Sequence, residues 1–356
     1  MRKTTVRKTT KKRRRRAALL LILLITGIAV LLKSGIVTKR IQREETKKAV
    51  AEEVEALHEK SNRDGIVEET PDPYFIRKQP GYSYPKPKLI QYDSGITHTR
   101  RHAMVFLPAD YDAAKTYPVL YLLHGWGGSH RTWANKKANI ILQNLYYFED
   151  VPEMIVVCPN SNVNAAESVE GLSFTESLEP FDATPEEVVK YLKPYIERHF
   201  SVKKGRKNAA VAGNSLGGRN ALALAYKYPK QFGSVGSFSP SVSVEAANGN
   251  GLKAPLRDLN LPKNKNRPFD VLMVMVGRSD KVCGNVSYEL DRYMKAQNIS
   301  HDFYDTAGGH ETTVWQNGLY NFAKKNIENK NNSTRFSDTQ IVSNVVYLSD
   351  IFKRRR

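Results

Sequence analysis

The stretch Ala209-Ala210-Val211-Ala212-Gly213-Asn214-Ser215-Leu216-Gly217-Gly218-Arg219 decides the fold. A small apolar run enters Gly213, a serine stands between Gly213 and Gly217, and a helical pattern continues to Tyr226. Strand, sharp turn and helix in that order form an elbow that pushes a serine out at the end of a sheet. The flanking glycines serve a turn where neighbouring chain passes too close for side chains. The serine then sits at a helix N-terminus, where the dipole and free N–H groups favour developing negative charge.

Outward from this stretch, Val119–Leu123, Met154–Cys158, Asn208–Gly213 and Val271–Val276 are short apolar runs that read as buried strands. Between them, 185–199, 216–228 and 286–297 carry helical patterns, the first with Thr184 as expected cap, Pro185 in the first turn and Glu187 three residues on. Strand–helix alternation from about residue 93 predicts an α/β fold, a mostly parallel sheet with helices on both faces. Residues 160–182 show no clear period and are expected to form a long loop over a pocket.

A serine hydroxyl needs a base, and the base a third group to orient it. With the elbow first in chain order, acid and then histidine should follow. His301 and His310 are the histidines after Ser215. His310, in Ala307-Gly308-Gly309-His310-Glu311, is on a glycine-rich loop after a strand-like stretch, whereas His301 falls at that stretch and reads as structural. Asp280 follows the strand Val271–Val276 and so stands at its C-terminal end, where α/β sites form. Asp302 and Asp305 flank the histidine's strand, Asp270 precedes its strand, and Asp258 has no strand before it. The expected catalytic set is Ser215, Asp280 and His310. The oxyanion donors should be the backbone N–H of Leu216 and one from His124-Gly125-Trp126-Gly127-Gly128, assigned to Trp126. His124 reads as a structural hydrogen-bonding residue. Trp126 and Trp315 are the candidate substrate-binding aromatics. This chemistry calls for no cofactor and no metal.

Residues 95–327 resemble the esterase family of the α/β-hydrolases that includes feruloyl and acetyl-xylan esterases. The likeness rests on Tyr117-Pro118-Val119-Leu120-Tyr121-Leu122-Leu123-His124-Gly125-Trp126-Gly127-Gly128, on Gly213 to Gly218, and on Gly308-Gly309-His310 with Trp315 five residues on. The resemblance implies the α/β-hydrolase fold, with nucleophile, acid and base on Ser215, Asp280 and His310. After its histidine the family often has an acidic residue, an aromatic and a later Trp; Glu311 and Trp315 match, but Thr312 stands at the aromatic position. The implied activity is acyl transfer to Ser215 and hydrolysis of a carboxylic ester, with carbohydrate-linked feruloyl or acetyl groups as expected substrates. The rivals are an acyltransferase of the same fold using a sugar or envelope lipid, a peptidase of that fold, and a catalytically silent tethered binding module.

The formal net charge of +19 suggests nucleic acid at first sight, but it belongs to the ends. Residues 1–16 hold ten basic and no acidic residues, and Lys353–Arg356 hold four more. The body is close to neutral, so no nucleic-acid partner is expected. The apolar run 17–37 behind the basic flank is long enough to span a membrane if Lys33 snorkels, and it reads as an uncleaved signal-anchor more than as a cleaved signal peptide. The basic flank then stays cytoplasmic and the rest lies outside the cell membrane. The expected organisation is a flank (1–16), a transmembrane span (17–37), a charged helical stalk (38–70) with Val50, Val54 and Leu57 as its apolar stripe, a hydrolase domain (71–329) and a C-terminal tail (330–356). Two cysteines exclude a disulfide-built scaffold, and Cys158 and Cys283 are not expected to pair.

Overall fold

Strands buried on both faces must be apolar throughout, and four segments of this chain satisfy that demand as read from sequence. The computed structural model describes residues 35–62, 64–69, 73–241 and 269–325. It places β1 at Lys88–Asp93, β2 at Arg100–Phe106, β3 at Val119–Leu123, β4 at Ile155–Pro159, β5 at Ala209–Asn214, β6 at Ser234–Phe238, β7 at Val271–Gly277 and β8 at Asp302–Thr306. They form one sheet in the order β1-β2-β4-β3-β5-β6-β7-β8. β1 pairs antiparallel with β2 and β2 with β4, and every other pairing is parallel. β4 and β5 lie on opposite sides of β3, so the crossovers diverge there and open a crevice beyond the C-terminal ends of the strands.

Successive side chains of a strand point to opposite faces, and each face has its own cover. On one face Val119, Tyr121 and Leu123 of β3 and Val211 of β5 join a core with Val188, Leu192 and Ile196 from 184–199, Leu222 and Ala225 of the helix Leu216–Lys227, and Leu290 and Met294 of Gly284–Ala296. On the other, Phe238 packs edge-on against Trp133 (6.3 Å between centroids) and Phe322 (6.2 Å). The helices are α1 (Ile36–Glu59), α2 (Thr132–Asn135), α3 (Ala138–Phe148), α4 (Phe174–Asp182), α5 (Thr184–Glu187, a π turn Val188–Leu192, then Lys193–His199), α6 (Leu216–Lys227), α7 (Gly284–Ala296) and α8 (312–325).

Three expectations need correction. Residues 160–182 are not a structureless loop. Arg101, fully buried in β2, donates to the carbonyls of Asn160 (2.6 Å) and Asn164 (2.9 Å), and α4 then starts at a capping box in which Ser173 and Glu176 satisfy each other's backbone N–H. Thr184 does not cap a helix. Ala183 keeps a helical backbone between α4 and α5, and the Thr184 hydroxyl donates to Ser161 O (3.1 Å). Residues 71–92, where Pro71, Pro73, Pro80, Pro85 and Pro87 forbid a continuous helix and predict an extended lead-in, also hold the 3-10 turn Pro73–Ile76 and most of the edge strand β1.

The chain divides into two compact units, 1–53 with 79–83, and 54–78 with 84–356. In the first, Arg43 Nε donates to Gly81 O (2.6 Å) and Thr46 Oγ1 to Pro80 O (3.1 Å). In the second, Val54 and Leu57 are buried and His58 hydrogen-bonds Glu149, so these stalk residues are part of a packed body and not of a solvated spacer. Among the described residues no helix is long and apolar enough to cross a membrane. The expected flank, most of the span 17–37, and the tail 330–356 lie outside the described residues, as does Asp258.

Candidate active site

β5 ends at Asn214 and α6 begins at Leu216, so Ser215 makes the corner by itself. Its backbone stands at φ +55° and ψ −121°. A non-glycine residue held in such a region costs on the order of 1–3 kcal/mol. The corner is pinned by hydrogen bonds from Ser215 N–H to Phe238 O (2.9 Å) and from Arg219 N–H to Ser215 O (3.0 Å). A Cβ on Gly217 would lie 2.4 Å from Leu123 O, and one on Gly213 would lie 2.5 Å from the Gly217 carbonyl. The glycines thus let β3 and α6 close on the turn, while the strain itself rests on the serine.

The loops after β7 and β8 bring the other two groups. Ser279 N–H donates to Gly308 O (2.9 Å) and Arg278 N–H to Thr306 O (2.8 Å), which laces the two loops together. His310 Nδ1 is 2.8 Å from Asp280 Oδ2 and its Nε2 is 3.1 Å from Ser215 Oγ. Asp280 Oδ1 accepts from the N–H groups of Val282 (2.9 Å) and Cys283 (2.8 Å). Burial alone would raise the Asp280 carboxyl, but the bonds from His310 and from these two N–H groups outweigh it and hold it below the usual carboxylate range. His301 is instead tied to Asp291 Oδ1 (3.0 Å) and Ile299 O (2.8 Å), Asp305 pairs with Arg278, and Asp302 with Lys325. The structure therefore brings together Ser215, Asp280 and His310, and leaves His301, Asp302 and Asp305 in separate pairs.

Ser215 and His310 open on a cleft of about 480 Å³ walled by Trp126, Lys136, Phe174, Val282 and Trp315. Trp126 is half-exposed, its indole N–H donates to Ser177 Oγ (2.8 Å), and its ring meets Phe174 edge-on at 6.0 Å. The turn that carries it presses on the serine, since a Cβ on Gly125 would lie 3.0 Å from Ser215 Cβ. Leu216, directly after the serine, opens α6 and is buried. Trp315 stands perpendicular to the His310 ring at 5.1 Å. His124 is fully buried: its Nδ1–H donates to Gly125 O (2.7 Å), its Nε2 accepts from Ser161 N–H (2.8 Å), and burial pushes it down to about 4. It is a neutral brace between two loops.

Lys136, Phe174 and Val282 escaped the sequence reading. Val282 had a signal, two residues from Asp280, and Phe174 directly follows a capping serine. Lys136 had none. Among the described residues no group of three His, Cys, Asp or Glu side chains is disposed to hold a metal ion, and Cys158 and Cys283 are buried free thiols.

A family model described as "Putative esterase" matches residues 94–327. An endo-1,4-beta-xylanase/feruloyl esterase of Xylanibacter ruminicola is 31% identical over 156 residues, 42% of this chain and 21% of that protein. An esterase of Mycobacterium tuberculosis is 33% identical over 143 residues, 39% of this chain and 29% of that one. The chain thus matches less than a third of the length of these curated relatives. A ferulic acid esterase of Anaeromyces mucronatus, solved in complex with ferulic acid, superposes with a TM-score of 0.64 at 28% identity, covering 71% of this chain and 94% of that one.

Proposed function

The chain belongs to this esterase family, and from that premise we propose that it is a serine carboxylic-ester hydrolase acting on acyl groups, feruloyl or acetyl, linked to carbohydrate. The observation that carries the reading is the continuous relay from Asp280 Oδ2 through His310 to Ser215 Oγ, at 2.8 and 3.1 Å, at the floor of an aromatic-walled cleft. His310 Nε2 takes the serine proton as Oγ attacks the ester carbonyl. Asp280 holds the imidazole in the tautomer with the proton on Nδ1 and stabilises the imidazolium that forms. The N–H groups of Leu216 and Trp126 receive the oxyanion. His310 then gives its proton to the leaving alcohol, which departs and leaves an acyl group on Ser215. Water, deprotonated by His310, attacks that acyl group; the bond to Ser215 Oγ breaks, His310 returns the proton to Oγ and the acid product is released. Trp126 and Trp315 offer the flat surfaces an aromatic acyl group or a sugar ring would cover.

The substrate class is supported by the names of the relatives and by the aromatic walls. A panel of acetyl, butyryl and feruloyl esters and sugar acetates tests it. We expect kcat/KM on a feruloyl ester or a sugar acetate to exceed that on the butyryl ester by about tenfold or more, a pocket effect of ordinary size. A flat response would remove the carbohydrate-ester assignment, and no turnover of any member would remove the esterase assignment.

For the chain as a whole we propose a membrane-anchored enzyme: a basic cytoplasmic flank (1–16), a span (17–37), a charged helical stretch (38–70) whose residues from Val54 on pack with the catalytic body, the catalytic domain (71–329) outside the membrane and a tail (330–356). The support is the apolar run with ten basic residues in the sixteen before it against five, Lys39, Arg40, Arg43, Lys47 and Lys48, in the sixteen after it. Protease added to intact cells is expected to release or destroy the esterase activity. Full protection until lysis would place the domain inside.

A further inference from the structure

The cleft wall opposite the elbow carries a cation that the mechanism does not use. Lys136 lies at the junction of α2 and α3, where Lys137 adopts a left-handed backbone (φ +63°) and turns one helix into the next. Its main chain is fixed from both sides, by its own N–H to Thr132 O (3.0 Å) and by Gln316 Nε2 donating to its carbonyl (2.8 Å). Its ammonium donates to Thr312 Oγ1 (3.3 Å) and sits 4.5 Å from the centre of the Trp315 ring. These are a hydroxyl and a π face. An ammonium has three donors and no acceptor capacity, and among the described residues no carboxylate pairs with this one. Among the described residues Lys136 and His310 are the ionisable groups on the cleft wall, and no acidic side chain of theirs lines it. Glu311, next to His310, is exposed and accepts from Gly309 N–H (2.9 Å). Thr312, which stands where the family often has an aromatic residue, supplies the hydroxyl that accepts this hydrogen bond.

We propose that Lys136 makes this site selective for esters that carry a carboxylate on the part of the substrate lying against the Trp315 wall. The inference rests on the esterase reading above and narrows its substrate class. Burial pulls the Lys136 ammonium below its ordinary range, a desolvation cost that an incoming carboxylate relieves. A charge-assisted hydrogen bond in a partly dry cleft is about twice as strong as a neutral one. A neutral substrate would gain no such bond and would leave the cation unpaired beneath it.

Two matched pairs of esters locate the carboxylate. 4-Nitrophenyl hydrogen adipate against 4-nitrophenyl hexanoate places it on the acyl side. Monoacetylated galacturonic acid against monoacetylated galactose places it on the alcohol side. The readout is the ratio of kcat/KM, anionic over neutral, within one enzyme preparation, so that loss of folded protein in a variant cancels. For the wild type one of the two ratios is expected to exceed its chemical baseline by about tenfold, a charged hydrogen bond's worth of discrimination. Lys136→Met should return that ratio to baseline, Lys136→Arg should keep most of it, and raised salt should shrink it in the wild type. Equal loss on both members in Lys136→Met would assign the residue a structural role and overturn the proposal, as would ratios at baseline in the wild type. Neutral esters turned over without any anionic preference would leave the esterase reading standing; no turnover of either member of either pair would overturn both.

Discussion

Ser215→Ala is expected to lower kcat on 4-nitrophenyl acetate by about 10⁶-fold, the scale on which loss of the nucleophile acts in hydrolases with this relay. The residue is also the strained point of the fold, which gives the substitution a second readout. Alanine keeps the Cβ and therefore keeps the strain of φ +55°. Its melting temperature should stay close to wild type, because only the hydroxyl's contacts to His310 (3.1 Å) and to the Cys283 thiol are lost. Ser215→Gly should be equally inactive yet more stable than Ser215→Ala by about 1 kcal/mol, the strain released less the extra chain entropy glycine brings to the unfolded state. Kinetics and thermal melts of the three proteins decide the matter. Retained turnover in Ser215→Ala would remove the serine from the chemistry, and a glycine variant less stable than the alanine one would deny the strain.

Asp280→Asn should be nearly as damaging, with kcat falling about 10⁴-fold while the fold persists. The carboxylate has two separate duties. Oδ1 accepts from Val282 and Cys283 N–H, and Oδ2 faces His310 Nδ1. Asparagine can keep its amide oxygen toward the two N–H groups, and then its NH₂ must face Nδ1. That nitrogen becomes an acceptor, the ring proton moves to Nε2, and the imidazole presents a donor to Ser215 Oγ. It can no longer take the serine proton. Because the loop bonds survive, circular dichroism and melting should change little. A fall of less than tenfold in kcat would show that Asp280 is not the orienting acid.

The central strands were legible because burial on both faces leaves room for little besides Val, Ile, Leu and Ala, as in Val119–Leu123 and Val271–Gly277. β2 was not, since its apolar pattern is broken by Arg101, a charge that is buried only because Glu187 and the carbonyls of 160–164 wait for it across the fold. β6 was hidden by composition. Ser234, Gly236 and Ser237 look like a turn until Ser237 Oγ is seen donating to Gly218 O (2.9 Å) within the core. α4 had its start signature in Ser173 and Glu176, but Pro180 within the helix argued against it. The grouping of Ser215, Asp280 and His310 was readable because the strand–loop order of this architecture fixes which loops meet. Lys136 was not readable. Its place depends on a left-handed residue between two short helices and on contacts with Thr312 and Gln316 far along the chain.

The position of these groups along the chain has an evolutionary corollary. Trp126, Lys136 and Phe174, on the cleft wall, all precede the nucleophile, whereas Asp280 and His310 follow it. What enters the cleft is therefore encoded largely upstream of Ser215, and the proton relay downstream. Substitutions upstream of Ser215 can therefore reshape most of the cleft wall without touching Asp280 or His310, provided the turn that presents the Trp126 N–H is kept. Trp315 is the joint between the wall and the relay, with one ring packed on His310 and beneath Lys136, and it is the position where drift in preference would first be felt as drift in rate.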